Sequence, residues 1–214
     1  MKDNMDSVNR TAVESDVCVV TQPLSGASEA ATHSLVTVLS ALTGLSLVSA
    51  NVPSNSKLRT EHEIVETSQS GTGKTILTAG FRYLKNQLLM CRALRQRTEG
   101  TVLFFGTTSY LLPILYSWFL RKTVILEPRG DVPRSLRIEW EQTYPAVIAG
   151  CLAMVVKSLE AIGYRLADAI ITLSPSMASE MSLDRFHDKL YPNGAWHVEL
   201  DGFESTIPYD SRSR

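Results

Sequence analysis

Cysteine is scarce in this sequence: Cys18, Cys91 and Cys151 are the only three in 214 residues. An odd number without close pairs excludes a disulfide framework and a structural zinc site. Their apolar neighbours predict reduced, buried thiols of the kind a cytoplasmic protein keeps. An excess of charge of one sign is also missing. Lys and Arg number 21 against 22 Asp and Glu, a net charge of −1, so no overall field draws the chain to nucleic acid, which is not an expected partner. A partner recognised by charge must be met by a local patch. Residues 1–15 are not expected to act as a secretory signal, since they mix Lys2, Asp3, Asp6, Arg10 and Glu14 with polar side chains and contain no apolar run. They read as a tail, and the cytoplasm is the expected compartment.

What remains is ordinary for a folded domain, with 44% hydrophobic and 20% charged residues on a chain long enough to bury a core. Two uncharged stretches, 34–52 and 102–120, are long enough to cross a bilayer. Gly44 and many Ser and Thr interrupt the first, and Gly106, Thr107, Thr108, Ser109 and Pro113 interrupt the second. Each reads better as a strand and a helix joined by a turn, buried in a parallel sheet whose elements are apolar on more than one face.

Strands and helices alternate along the chain. Short apolar runs predict strands at 17–21, 45–51, 62–67, 101–105, 123–126 and 169–173. A helix is expected from about Glu29, with Leu35, Val38, Leu39 and Leu42 at helical spacing and Gly44 as a left-handed cap. The clearest helix spans 76–97, because Leu77, Phe81, Leu84, Leu88 and Cys91 line one face. Arg92, Arg95 and Arg97 crowd its last turns and Gly100 ends it. Further helices are expected within 109–120 and over 135–166, the latter broken near Pro145, and Ser174 with Pro175 opens a short one as N-cap and first residue. The order implies an α/β, Rossmann-like, doubly wound parallel sheet with right-handed crossovers.

Several motifs carry chemistry. Gly71-Thr72-Gly73-Lys74-Thr75 suggests a phosphate loop, but that loop needs a glycine where Ser68 stands, so a flexible polar loop is the better reading. Between the first strand and first helix lies Pro23-Leu24-Ser25-Gly26, where glycine lets backbone approach a ligand and a helix N-terminus faces phosphate; Ser25 and Gly26 are the expected phosphate-facing pair. Glu127-Pro128-Arg129-Gly130-Asp131 directly follows the strand at 123–126. In open α/β sheets ligands bind at the carboxyl ends of strands, so Glu127, Arg129, Gly130 and Asp131 are placed to grip sugar hydroxyls or anionic groups. Lys74, Arg82, Lys85 and Arg92 fall along one flank of the long helix, an arrangement that suits a solvated face or peripheral contact with anionic lipid.

From Val17 onward the chain resembles the N-terminal domain of glycosyltransferase family 4, retaining enzymes of the GT-B fold. Four segments carry the resemblance: Glu127-Pro128-Arg129-Gly130-Asp131-Val132-Pro133; Phe104-Phe105-Gly106 with Ser109-Tyr110-Leu111-Leu112-Pro113; Ala167-Asp168-Ala169-Ile170-Ile171-Thr172 with Pro175-Ser176-Met177-Ala178; and Tyr191-Pro192-Asn193-Gly194-Ala195, followed by Phe203. The resemblance implies an acceptor-side domain over 16–205 and a linker over 206–214. Asn193 and Gly194 would face the cleft between two domains, and Glu127, Arg129, Gly130 and Asp131 would contact the acceptor. It implies sugar transfer from a nucleotide sugar to a carbohydrate or lipid-linked acceptor, with no metal and no other cofactor. The donor is expected to be held by a second domain or partner chain. The common double glycine of the first loop is reduced here to Gly26, and Glu127 stands where many relatives place a histidine. A non-catalytic binding module on the same fold is the alternative expectation.

Overall fold

Runs of Val, Leu, Ile and Phe too short for helices form the centre of the protein. The computed structural model of the chain describes residues 17–67 and 76–192. The tail at 1–15, the loop from Ser68 through Lys74 to Thr75, Asn193, Gly194, Phe203 and the linker at 206–214 lie outside the described residues. The strands are β1 (Val17–Thr21), β2 (Leu45–Ser49), β3 (Ile64–Glu66), β4 (Thr101–Phe105), β5 (Thr123–Glu127), β6 (Ala169–Ile171) and β7 (Leu190–Tyr191). They form one parallel sheet in the order β3-β2-β1-β4-β5-β6-β7. The helices are α1 (Gly26–Ser40), α2 (Leu58–Glu61), α3 (Ile76–Arg95), α4 (Leu111–Phe119), α5 (Val132–Glu141), α6 (Ala146–Leu166) and α7 (Pro175–Glu180).

The sheet grows outward in two directions from β1 and β4, and right-handed crossovers therefore put the helices on opposite faces. Val36 of α1 and Leu58 of α2 pack with Val19, Leu47, Leu103 and Phe105 on one face. Met90 and Leu94 of α3, Ile114 of α4 and Tyr164 of α6 pack with Val20, Val48, Phe104 and Leu126 on the other. The doubly wound α/β sheet expected from the order of elements is what the chain forms. Alternate strand residues serve opposite cores, which is why the strands read as unbroken apolar runs.

Both uncharged stretches resolve into a helix and a strand, the first as α1 and β2 and the second as β4 and α4. The break near Pro145 is present: α5 ends at Glu141 and Pro145 caps α6. Ser174 caps α7, its hydroxyl accepting from the Met177 amide at 3.2 Å. Among the described residues one helix, α6, is long and apolar enough to cross a membrane, a feature that periodicity had not singled out.

Four local expectations are corrected. The first helix starts at Gly26 rather than Glu29 and closes on Ala41 in right-handed geometry, so Gly44 is not a left-handed cap. Leu39's carbonyl takes the amides of Leu42 and Thr43 instead, and Leu42 is exposed. Likewise α3 ends at Arg95, and the Gly100 carbonyl receives the Thr123 amide as β5 begins. The thiols are not uniformly buried. Cys18 is buried and its thiol is pushed up to about 11 by desolvation, whereas Cys91 is half-buried and Cys151 exposed.

The largest correction concerns α3. Its stripe of Phe81, Leu84 and Leu88 faces solvent, while Gln87, Met90, Ala93 and Leu94 are buried. Tyr83, Gln87, Met90 and Leu94 follow the same steps of four and three, so periodicity describes two stripes equally well. Hydrogen bonds decide between them. Gln87 Oε1 accepts the Leu112 amide at 2.9 Å, the Tyr83 hydroxyl donates to the Ser109 carbonyl, and Tyr83 stacks edge-on against Tyr110 at 5.2 Å. The Gln87 bond satisfies the Leu112 amide, one of the first amides of α4, which have no partner within the helix.

Candidate functional site

The strand order reverses between β1 and β4, and their carboxyl ends diverge into loops that leave a crevice. This is the switch point at which open α/β sheets bind ligands. A cleft of about 210 Å³ opens there, lined by Thr21, Leu24, Ser28, Phe105, Gly106 and Arg129 among others. The volume is below the roughly 300–1,000 Å³ of a pocket that engulfs a drug-sized ligand.

One wall is the head of α1. Gly26 takes φ +45°, which turns the chain from β1 into the helix. The Ser28 hydroxyl accepts from the Ser25 amide at 2.9 Å and donates to the Ser25 carbonyl at 2.8 Å. Ser25 and Gly26 are both exposed beside the cleft at the positive end of the helix. The opposite wall is Arg129. Its guanidinium carbon lies 4.6 Å from the centre of the Phe105 ring, and its Nη1 is 3.5 Å from Glu127 Oε1. Burial raises the Glu127 carboxyl above its usual range and Arg129 opposes the rise.

Gly106 lets Arg129 approach. It has φ +66°, and a Cβ there would come within 3.2 Å of Arg129 Cγ. Its amide also donates to the Glu127 carbonyl at 2.9 Å, tying the two loops together. Valine at this position meets both obstacles, and the left-handed backbone alone costs a side chain roughly 1–2 kcal/mol. Gly106→Val is therefore expected to lower the melting temperature by several degrees and to displace Arg129 from Phe105. Thermal unfolding with ligand titration reads both effects, and an unchanged melting temperature refutes the account.

The structure thus brings Glu127, Arg129 and Gly130 to the carboxyl edge of the sheet, with Asp131 behind them. Asp131 has a local duty, since its carboxylate accepts the Arg134 amide at 2.9 Å as N-cap of α5. Only Arg129 of this group lines the cleft.

A second group of polar residues sits on the other side of the β4–α4 loop. Glu160, buried on α6, accepts the Thr108 hydroxyl at 2.5 Å. Desolvation pushes its carboxyl up to about 7, the Thr108 bond counters this, and Asp131 adds to it. The Tyr164 hydroxyl beside it is buried, and desolvation raises it above its usual range with the Glu160 charge adding to the rise. Gly163 permits this contact, because a Cβ there would stand 3.1 Å from the Thr108 carbonyl. Sequence reasoning missed Glu160, although a lone carboxylate in the apolar run from Ala146 to Leu166 was a signal that could have found it. Among the described residues no cluster of His, Cys, Asp and Glu is arranged to hold a metal ion.

No protein-family model and no curated protein matches the sequence. Solved structures do. A UDP-glucosyltransferase from Polygonum tinctorium, in complex with 3,4-dichloroaniline, aligns over 87% of this chain and 54% of its own, at 8% identity and a TM-score of 0.56. The lipopolysaccharide outer core galactosyltransferase WaaB aligns over 82% of this chain and 44% of its own, at 10% identity and a TM-score of 0.52. A UDP-N-acetylglucosamine 2-epimerase from Rickettsia bellii aligns over 87% and 46%, at 14% identity and a TM-score of 0.53. The fold these structures share with the chain is a Rossmann-like α/β fold. The chain spans about half the length of the solved structures it matches.

Proposed function

We propose that this chain is the acceptor-side half of a retaining, nucleotide-sugar-dependent glycosyltransferase of family 4, working in the cytoplasm with a donor-binding domain or partner chain. The observation that carries the reading is the cleft at the strand-order switch point, where Arg129 faces the head of α1. A guanidinium opposite the exposed amide end of a helix suits a substrate with an anionic or hydroxyl-rich portion, such as a carbohydrate or lipid-linked acceptor. In this reading Arg129 and the loop from Glu127 to Gly130 grip the acceptor, Ser25 and Gly26 face the donor phosphate, and Asn193 and Gly194 approach the second domain. The nucleotide sugar is a substrate, and no bound cofactor or metal takes part. Transfer then relies on two bound substrates held in register.

The test is transfer by the chain combined with a donor-binding half. Hydrogen bonds to a charged group contribute roughly 1.5–3 kcal/mol, so Arg129→Ala is expected to lower acceptor use about ten- to a hundredfold. Asp131→Ala is the matched comparison. Removing that cap costs about 1 kcal/mol of stability, with a smaller effect on transfer. If Arg129→Ala leaves transfer intact while lowering the melting temperature, the loop is a brace and the reading fails. A non-catalytic binding module would instead bind sugar ligands in the same cleft without turnover in any combination.

A further inference from the structure

We propose that Glu160 is a positioning residue for the cleft: from α6, on the other face of the sheet from α1, it holds the β4–α4 loop through Thr108 and so sets Gly106 against Arg129. Loops normally run over a protein's surface, yet Thr107, Thr108 and Ser109 are all buried. Each is anchored from a different element. The Thr107 hydroxyl donates to the Val20 carbonyl of β1 at 3.3 Å, the Ser109 carbonyl accepts from Tyr83 of α3, and the Thr108 hydroxyl donates to Glu160 at 2.5 Å. Immediately before these three stands Gly106, whose amide is tied to the Glu127 carbonyl and whose missing Cβ leaves room for Arg129. Gly106 and Arg129 both line the cleft, so the anchors of this loop decide where one wall stands.

The carboxyl singles Glu160 out from the other anchors. A glutamine would accept the same hydroxyl with no charge to desolvate, so bracing alone does not call for an acid. Groups whose protonation is displaced by burial gather at functional sites, and this one bears on both loops that form the wall. Thr108 joins it to the β4–α4 loop. Asp131, the N-cap of α5, joins it by charge to the β5–α5 loop that carries Arg129. The other titratable groups facing it are Tyr83 from α3 and Tyr164 from its own helix. No charged side chain comes from α4. Arg134, Arg137, Glu139 and Glu141 of α5 are exposed, as are Lys157 and Arg165 of α6.

With its proton in place, Glu160 presents a neutral neighbour to Asp131 and both loops keep their positions. Loss of the proton sets a second negative charge against Asp131 in a buried site, which loosens the β5–α5 loop and strains the hold on Thr108. Desolvation pushes the Glu160 carboxyl up to about 7, so this change falls near neutral pH. The geometry belongs to the free chain and does not depend on the transferase reading. Its consequence for acceptor use does rest on that reading.

The experiment follows the Gly106 amide and the Arg129 Nε–H by NMR in the full chain as pH is raised through neutrality. Both signals are expected to shift together with a midpoint of about 7 in the parent, and that transition is expected to vanish in Glu160→Gln. Glu127, whose own carboxyl is raised, contributes a separate transition that survives in this variant. Thr108→Val removes the hydroxyl at nearly constant shape, so the Gly106 signal should cease to follow Glu160, and Thr108→Ser should restore the response. If Thr108→Val does not fold, Glu160→Gln and Thr108→Ser still decide. Signals that stay level near neutrality overturn the proposal, as does a transition that persists in Glu160→Gln or an unchanged Gly106 response in folded Thr108→Val. In the combined halves, KM for the acceptor should rise several-fold as pH passes through this range, with kcat little changed, and should stay level in Glu160→Gln. Active transfer with a level KM in the parent also overturns the proposal, whereas absence of transfer counts against the half-enzyme reading and leaves the NMR result to decide this one.

Discussion

Glu160→Gln is expected to stabilise the protein above pH 7 and to remove a fall in stability that the parent shows between about pH 4.5 and 7. The sign follows from the raised carboxyl. The unfolded chain releases this proton at the ordinary value of 4.5, whereas the folded chain holds it until about 7 because burial disfavours the charge. Between those values the folded state binds more protons, so stability is full below the unfolded value and is lost as pH rises through the folded one. At 1.36 kcal/mol for each unit, the loss approaches the order of 3 kcal/mol. For a chain of this size that corresponds to roughly 6–12 °C in melting temperature. Glutamine retains an acceptor for the Thr108 hydroxyl and carries no charge to desolvate. Melting curves across this pH range decide the matter, and parallel pH dependence in parent and variant refutes the assignment. The neighbours belong to the same comparison: Asp131 raises the Glu160 carboxyl and Thr108 lowers it, while the Glu160 charge itself raises the hydroxyls of Tyr83 and Tyr164. Asp131→Asn should therefore shift the window downward without abolishing it.

The chain supplied alone with nucleotide sugar and acceptor is expected to show no measurable transfer, and addition of a donor-binding half should restore it by orders of magnitude. The argument is one of positioning. The cleft at the switch point has a volume of about 210 Å³, room for part of one substrate. A two-substrate reaction gains roughly 7–11 kcal/mol from holding both partners in line, and an enzyme that holds one forgoes most of it. Radiolabelled or coupled assays of the chain, of a donor-side half and of their mixture separate the contributions. Robust turnover by the chain alone refutes the half-enzyme reading.

Much of the architecture was legible before any coordinates. Uninterrupted apolar runs at Val17–Thr21 and Thr101–Phe105, separated by helical spacing, required a parallel sheet covered on both faces. A sheet of that kind places Glu127, Arg129 and Gly130 at its carboxyl edge because Glu127 ends β5 and the other two follow it directly. These features are local or follow from chain order, and so the amino-acid sequence determined them by itself. The tertiary structure alone decided which stripe of α3 meets the sheet. Two stripes share one period, and the choice fell to Tyr83 and Gln87, whose bonds to the head of α4 join residues about 25 positions apart. The buried pairing of Thr108 with Glu160 spans 52 positions and depends on Gly163 letting α6 approach. The exposure of Phe81, Leu84 and Leu88 has the same cause: a side chain's exposure is a property of what packs over it, and periodicity names a face without saying which neighbour will cover it.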